Sequence, residues 1–189
     1  MQSDLCIAEV AGWRALLTTA QHSVGSYLPA IVDDYVIRLL YQAVGQPAES
    51  LDAGAAAYVQ RTLIKCQQVP NLATVGDQSL LFAGLFPEHA IREGIPLAYF
   101  VQLGINAYGE YAATAQDQTS RTIYSAMADC FITVLDALHT VRALAQKEPV
   151  IDPLNAYQLW QQTGSAHAWQ VLRRLTRSLP GAYANRLRH

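Results

Sequence analysis

Residues 76–90, GDQSLLFAGLFPEHA, set a carboxylate at one end of an apolar run and a carboxylate and an imidazole at the other. Asp77, Glu88 and His89 are side chains that can exchange protons or hold a ligand. Tyr99, Tyr108 and Tyr111 follow in the next segment. Phenols gathered beside an acid at the Phe86-Pro87 break could orient a small molecule. The same residues also have ordinary structural uses. Thr74 can cap a helix over residues 74–86, with Asp77 three residues on as the acid of a capping box. Glu88 falls in the first turn of a new helix opened by Pro87, where the helix dipole favours negative charge. Aromatic residues at helical spacing pack cores. These uses account for the stretch without a ligand and are the expectation. A small-molecule binder or enzyme with a pocket at Phe86-Pro87 is the alternative.

Other chemistries find less support. Asp136 and His139 share a helix face at i and i+3, which is half of a carboxylate–histidine metal motif. No second pair of that kind occurs, and the three cysteines, Cys6, Cys66 and Cys130, form no CxxC. No metal and no cofactor are expected, and Asp136 and His139 read as a solvated surface pair. No Gly-x-Ser-x-Gly elbow, Walker loop or Gly-x-Gly-x-x-Gly is present. The cysteines sit among apolar neighbours and read as reduced core thiols.

The elements that must position these groups are helices. Leu28, Ile31, Val32, Tyr35, Val36, Leu39, Leu40 and Ala43 follow the 3.6-residue period, with Pro29 at the start and Gly45 at the end. A second helix reads over residues 50–68. The longest reads over residues 120–145, its seam formed by Ile123, Met127, Cys130, Val134, Leu138 and Val141. DPLNAYQLWQQTG opens on Asp152-Pro153 and closes on Gly164, and Ser165 can cap the next helix. The first 22 residues also read as helical. From Leu80 to Phe86 nearly every residue is apolar, so that helix should be buried on most sides. Gly76, Ala83 and Gly84 should let a neighbour come close. No strand-like alternation or hairpin signal appears. The expected fold is all-α, a single-domain bundle of about seven or eight helices spanning residues 1–189.

The segments VGDQSLLFAGLFPE and YFVQLGINAYGEYA resemble a group of uncharacterised bacterial helical proteins, over about residues 27–175. The resemblance implies no reaction, ligand or catalytic residue.

Composition bears on partners. Hydrophobic residues make up 51% of the chain and charged residues only 15%, against a usual charged share of about 25%. That surplus of apolar surface points to burial against a second copy, a homodimer. Residues 165–189 hold five arginines and no acid, while the whole chain has net charge −2. This C-terminal segment is basic and amphipathic, and is expected to dock through Trp169, Leu172 and Leu175 with Arg173, Arg174 and Arg177 in water. It lacks an aromatic base-stacking platform and a helix-turn-helix signature, which argues against nucleic acid. No apolar stretch is long enough to span a membrane, and the N-terminus has no basic lead into an apolar core. The resulting expectation is a cytoplasmic, non-enzymatic protein that acts by binding.

Overall fold

The computed structural model describes residues 2–44, 71–92, 94–146 and 151–178. These form nine helices and no strand: α1 (Gln2–Val24), α2 (Ala30–Val44), α3 (Leu72–Leu85), α4 (Pro87–Arg92), α5 (Leu97–Thr114), α6 (Gln118–Asp129), α7 (Phe131–Gln146), α8 (Pro153–Thr163) and α9 (Ala166–Ser178). The chain is an all-α bundle in a single domain. The helix expected over residues 50–68 lies outside the described residues, as do the side chains of Cys6, Cys66, His89 and Arg177.

Helix α3 is the central rod. Ser79, Leu80, Leu81, Phe82, Ala83 and Gly84 are all buried in sequence, as a run apolar on every side requires. It packs most extensively on α5 and also on α7. Small residues set the approach. A Cβ on Gly76 would fall 2.3 Å from the Tyr108 ring, and one on Gly84 would fall 2.7 Å from Leu138. On α5, Gly104 receives the Phe131 ring in the same way, at 2.3 Å. Each glycine is a slot for one large side chain of a facing helix.

The start of α3 differs from the expectation. Asn71, not Thr74, is the N-cap, and its side chain accepts from the Ala73 N–H. Asp77 therefore lies beyond the first turn and caps nothing. The long helix expected over residues 120–145 is broken at Cys130, whose φ of −95° and ψ of 4° end α6 before Phe131 begins α7. The break lets α6 lie against α2 and α5, while α7 faces α1, α3 and α9. An unbroken rod could not serve both sets of neighbours.

Punctuation elsewhere follows sequence chemistry. Pro29 leads into α2, its carbonyl accepting from Val32 and Asp33. Gly94 takes φ +69° after α4, and Gly164 takes φ +75° after α8, the left-handed conformation that costs glycine nothing. Asp152 caps α8 through the N–H groups of Leu154 and Asn155. Gln21 ties α1 to α2, donating to Asp33 at 2.7 Å and accepting from the Leu28 N–H at 3.0 Å.

Candidate functional site

Four helices bring a carboxylate and four phenols together. Asp77 Oδ1 on α3 accepts from the Tyr35 hydroxyl of α2 at 2.7 Å and from the Tyr108 hydroxyl of α5 at 2.8 Å. The Tyr124 hydroxyl of α6 lies 3.3 Å from that of Tyr35. With the Tyr35 proton committed to Asp77, its oxygen is the acceptor in that pair. Tyr111 packs edge-on against Tyr124 with ring centroids 4.5 Å apart.

Burial raises the Asp77 carboxyl above its ordinary range, and the two phenol donors pull it part of the way back. Burial, and then the nearby carboxylate, raises Tyr35 and Tyr108. These phenols stay protonated, so they are donors and not nucleophiles. The rings fill the junction themselves: Tyr35 and Tyr108 each lie within 6 Å of Tyr124, at 5.5 and 5.8 Å between centroids. The arrangement joins four helices through one carboxylate.

The helix break is held by a different group. Arg142 of α7 forks onto Glu88, Nη1 to Oε2 at 2.6 Å and Nη2 to Oε1 at 2.9 Å. Its Nη1 also donates to the Leu85 carbonyl at the end of α3. One guanidinium thus binds the negative end of α3 and the first-turn acid of α4. Of the six residues named from sequence, the five whose side chains are described do not converge. Asp77, Tyr108 and Tyr111 share the tyrosine junction and Glu88 sits at the break. Tyr99 edges a shallow uncharged groove of about 390 Å³ lined also by Gln102, Ile105, Ile132 and Gln162.

The second polar junction overturns the reading of Asp136 and His139 as a surface pair. Both are buried, His139 completely. Asp136 Oδ1 accepts from Ser165 Oγ at 2.5 Å, and Oδ2 accepts from the Ala166 N–H at 2.8 Å. Ser165 Oγ in turn accepts from the Ala168 N–H at 3.0 Å. The start of α9 is therefore capped twice, once by its own serine and once by an acid from α7. His139 Nε2 donates to the Ala83 carbonyl of α3 at 2.8 Å. His167 of α9 lies beside it, with ring centroids 5.4 Å apart, and its Nδ1 is 3.1 Å from Thr140 Oγ1. Burial raises Asp136 to about 6 and lowers His139 to about 4 and His167 to about 3.

These pins fix the rotation of α9. With Ser165 and His167 held on α7, the face turned inward is His167, Ala168 and Val171. Trp169 and Leu175, expected to dock, point outward instead, 44% and 41% exposed. Trp169 stacks on Trp160 of α8, with centroids 4.9 Å apart and planes 25° apart. Tyr157 and Leu154 continue the ledge along α8, 46% and 66% exposed. Sequence reading set Tyr35 on a helix stripe but not at this junction, and missed Tyr124, His167 and the ledge. The i, i+3, i+6 spacing of Leu154, Tyr157 and Trp160 was the one local signal for any of them.

Among the described residues no group of three or more His, Cys, Asp or Glu could hold a metal ion. No described helix is long and apolar enough to cross a membrane. Comparison with protein-family models, with curated proteins and with solved structures found no significant match.

Proposed function

We propose that this chain acts by binding, as a homodimer, through the aromatic ledge of α8 and α9, and that it carries out no catalysis of its own. The exposed Trp160–Trp169 stack is the observation that carries the reading. Two indoles held against one another already have fixed rotamers, so a partner surface would cover them at little further entropic cost. Tryptophan and tyrosine are the side chains most enriched at the centres of protein interfaces. Leu154 and Tyr157 extend the same face, which makes it broad enough to meet its own copy across a two-fold axis. The charge-poor composition, 15% of residues, agrees with a chain that covers part of its surface with a second copy.

The polar junctions support the non-enzymatic side of the reading. Asp77, Asp136 and Arg142 spend their hydrogen bonds on helix ends and on neighbouring side chains. The small-molecule alternative at Phe86-Pro87 has less in its favour, because the Arg142 guanidinium fills the break between Leu85 and Glu88. A cytoplasmic location goes with the proposal; the free thiol of Cys130 suits a reducing compartment.

Hydrogen exchange at low and high protein concentration tests the interface. Slower exchange at high concentration should be confined to residues 153–178. Protection that is independent of concentration, or that grows on another face, would remove the ledge from the interface.

A further inference from the structure

The hydrogen bonds of the two buried histidines fix their tautomers. A carbonyl only accepts, so His139 Nε2 carries the proton that meets Ala83, and its Nδ1 is a bare lone pair. The Thr140 hydroxyl donates its own proton to the Asp136 carbonyl at 2.8 Å. The contact with His167 must therefore be donated by His167 Nδ1, which leaves Nε2 bare. No protein group among the described residues meets His139 Nδ1 or His167 Nε2, though both atoms are buried. Each ring can take up a proton without breaking a bond it already makes. The new N–H then has no acceptor, and two cations stand with ring centroids 5.4 Å apart.

We propose that the His139–His167 pair is an acid-operated latch on α9: proton uptake at His139 Nδ1 and His167 Nε2 releases this helix from α7 while the rest of the bundle stays folded. The inference stands apart from the dimer reading, since it rests on the inner face of α9 and not on the ledge. The placement of the pair favours release of α9 over global unfolding. Helix α9 is the last described element, and its inward apolar contacts come from Ala168, Val171 and the half-buried Leu172. Its hold depends on Ser165 and Ala166 at Asp136 and on His167 at Thr140. Helix α3, on the other side of His139, is buried nearly all round.

Other charges around the pair bear on the balance. From α7 come Asp136 and Arg142, and Arg142 opposes protonation of His139 while pairing with Glu88 of α4. From α9, Arg174 opposes protonation of His167. Helix α3 offers the Ala83 carbonyl, and α1 approaches α9 through the Ser23 carbonyl, which accepts from Gln170. Asp136, raised by burial, gains a proton as pH falls and partly offsets the histidines.

The test is hydrogen exchange of the full chain at pH 7 and pH 5, corrected for intrinsic exchange rates. In the released state both imidazoles regain an ordinary pKa near 6.5, so the opening of residues 166–178 should rise on the order of tenfold or more. Amides of α3 and α5 should not follow. The His139→Gln/His167→Gln variant keeps a donor at both positions and should show no such rise. A rise that survives in this variant would assign the effect to groups other than these two histidines and overturn the proposal, as would equal opening at the two pH values or simultaneous opening of α3. Should the variant fail to fold, histidine C–H resonances of the wild-type chain decide. Titration of His139 and His167 at or above 6.5 in the folded protein overturns the latch, and titration well below it is the expected result.

Discussion

Asp136 Oδ1 lies 2.5 Å from Ser165 Oγ, joining α7 to the first turn of α9 across 29 residues of chain. That single pairing turns α9 so that Ala168 faces inward and Trp169 outward. Replacing Asp136 by Ala leaves the Ser165 hydroxyl and the Ala166 N–H without their acceptor. Each such group costs about 1–3 kcal/mol when it stays buried, so we expect a loss of about 2–4 kcal/mol in urea unfolding. Trp169→Ala, by contrast, should cost under about 1.5 kcal/mol, because the indole is nearly half exposed. A larger loss for Trp169 than for Asp136 would show that the helix is docked the other way round.

Two glycines on α5 should behave in opposite ways. Gly104→Ala puts a methyl 2.3 Å from the Phe131 ring, an overpacking expected to cost at least about 1–3 kcal/mol. Gly109→Ala meets nothing within 4 Å and should gain up to about 1 kcal/mol of helix propensity. Thermal melts of the two single variants check the pair. Equal melting temperatures would place the Phe131 ring elsewhere.

The tyrosine junction should be coupled. Tyr35 and Tyr108 donate to the same oxygen of Asp77. Removing either hydroxyl leaves the carboxylate one donor, at a cost of about 1–2 kcal/mol. Removing both in the Tyr35→Phe/Tyr108→Phe variant strips it, and the loss should exceed the sum of the singles by about 0.5 kcal/mol or more. Strict additivity in a double-mutant cycle would mean that the two phenols do not share an acceptor.

The pH dependence of global stability follows from four groups. His139 and His167 are held down to about 4 and 3 by burial. The unfolded chain thus binds their protons first, and stability falls as pH drops from about 6.5 towards 4. Asp136 is raised to about 6 and Asp77 is raised as well. The folded chain binds those protons first, so the carboxylates work in the opposite sense below about pH 6. From pH 7 to pH 6 the histidines win, and denaturant titration should show a loss of about 1 kcal/mol. In the His139→Gln/His167→Gln variant only the carboxylates remain, and stability should rise over the same interval. A wild-type chain that gains stability between pH 7 and pH 6 would contradict the burial of the imidazoles.

The helices were legible in the sequence where side-chain period and punctuation agree, as at Pro29, Asp152, Gly164 and Ser165. The burial of residues 80–84 and the closeness allowed by Gly76 and Gly84 were legible for the same reason, while Leu85 and Phe86, expected in the same run, are half-buried. The break at Cys130 was not. The residue after it, Phe131, enters the Gly104 slot, a contact with a helix that ends some fifteen residues earlier. The polar junctions were hidden for a related reason. Asp136 meets Ser165, and Tyr35 meets Asp77 42 residues away, distances over which local spacing carries no information. A polar residue on the polar side of a helix was read as wet, when a second helix was there to cover it.

The mass of the chain in solution decides between a homodimer and a monomer. Light scattering on a dilution series from about 1 to 100 µM, a span chosen to bracket dimers of micromolar affinity, should return about twice the 20.7 kDa of one chain at the upper end. Trp160→Ser/Trp169→Ser should return a single-chain mass across the series with its helical circular dichroism intact. A wild-type chain that stays at 20.7 kDa throughout, or a double variant as dimeric as the wild type, would contradict the account.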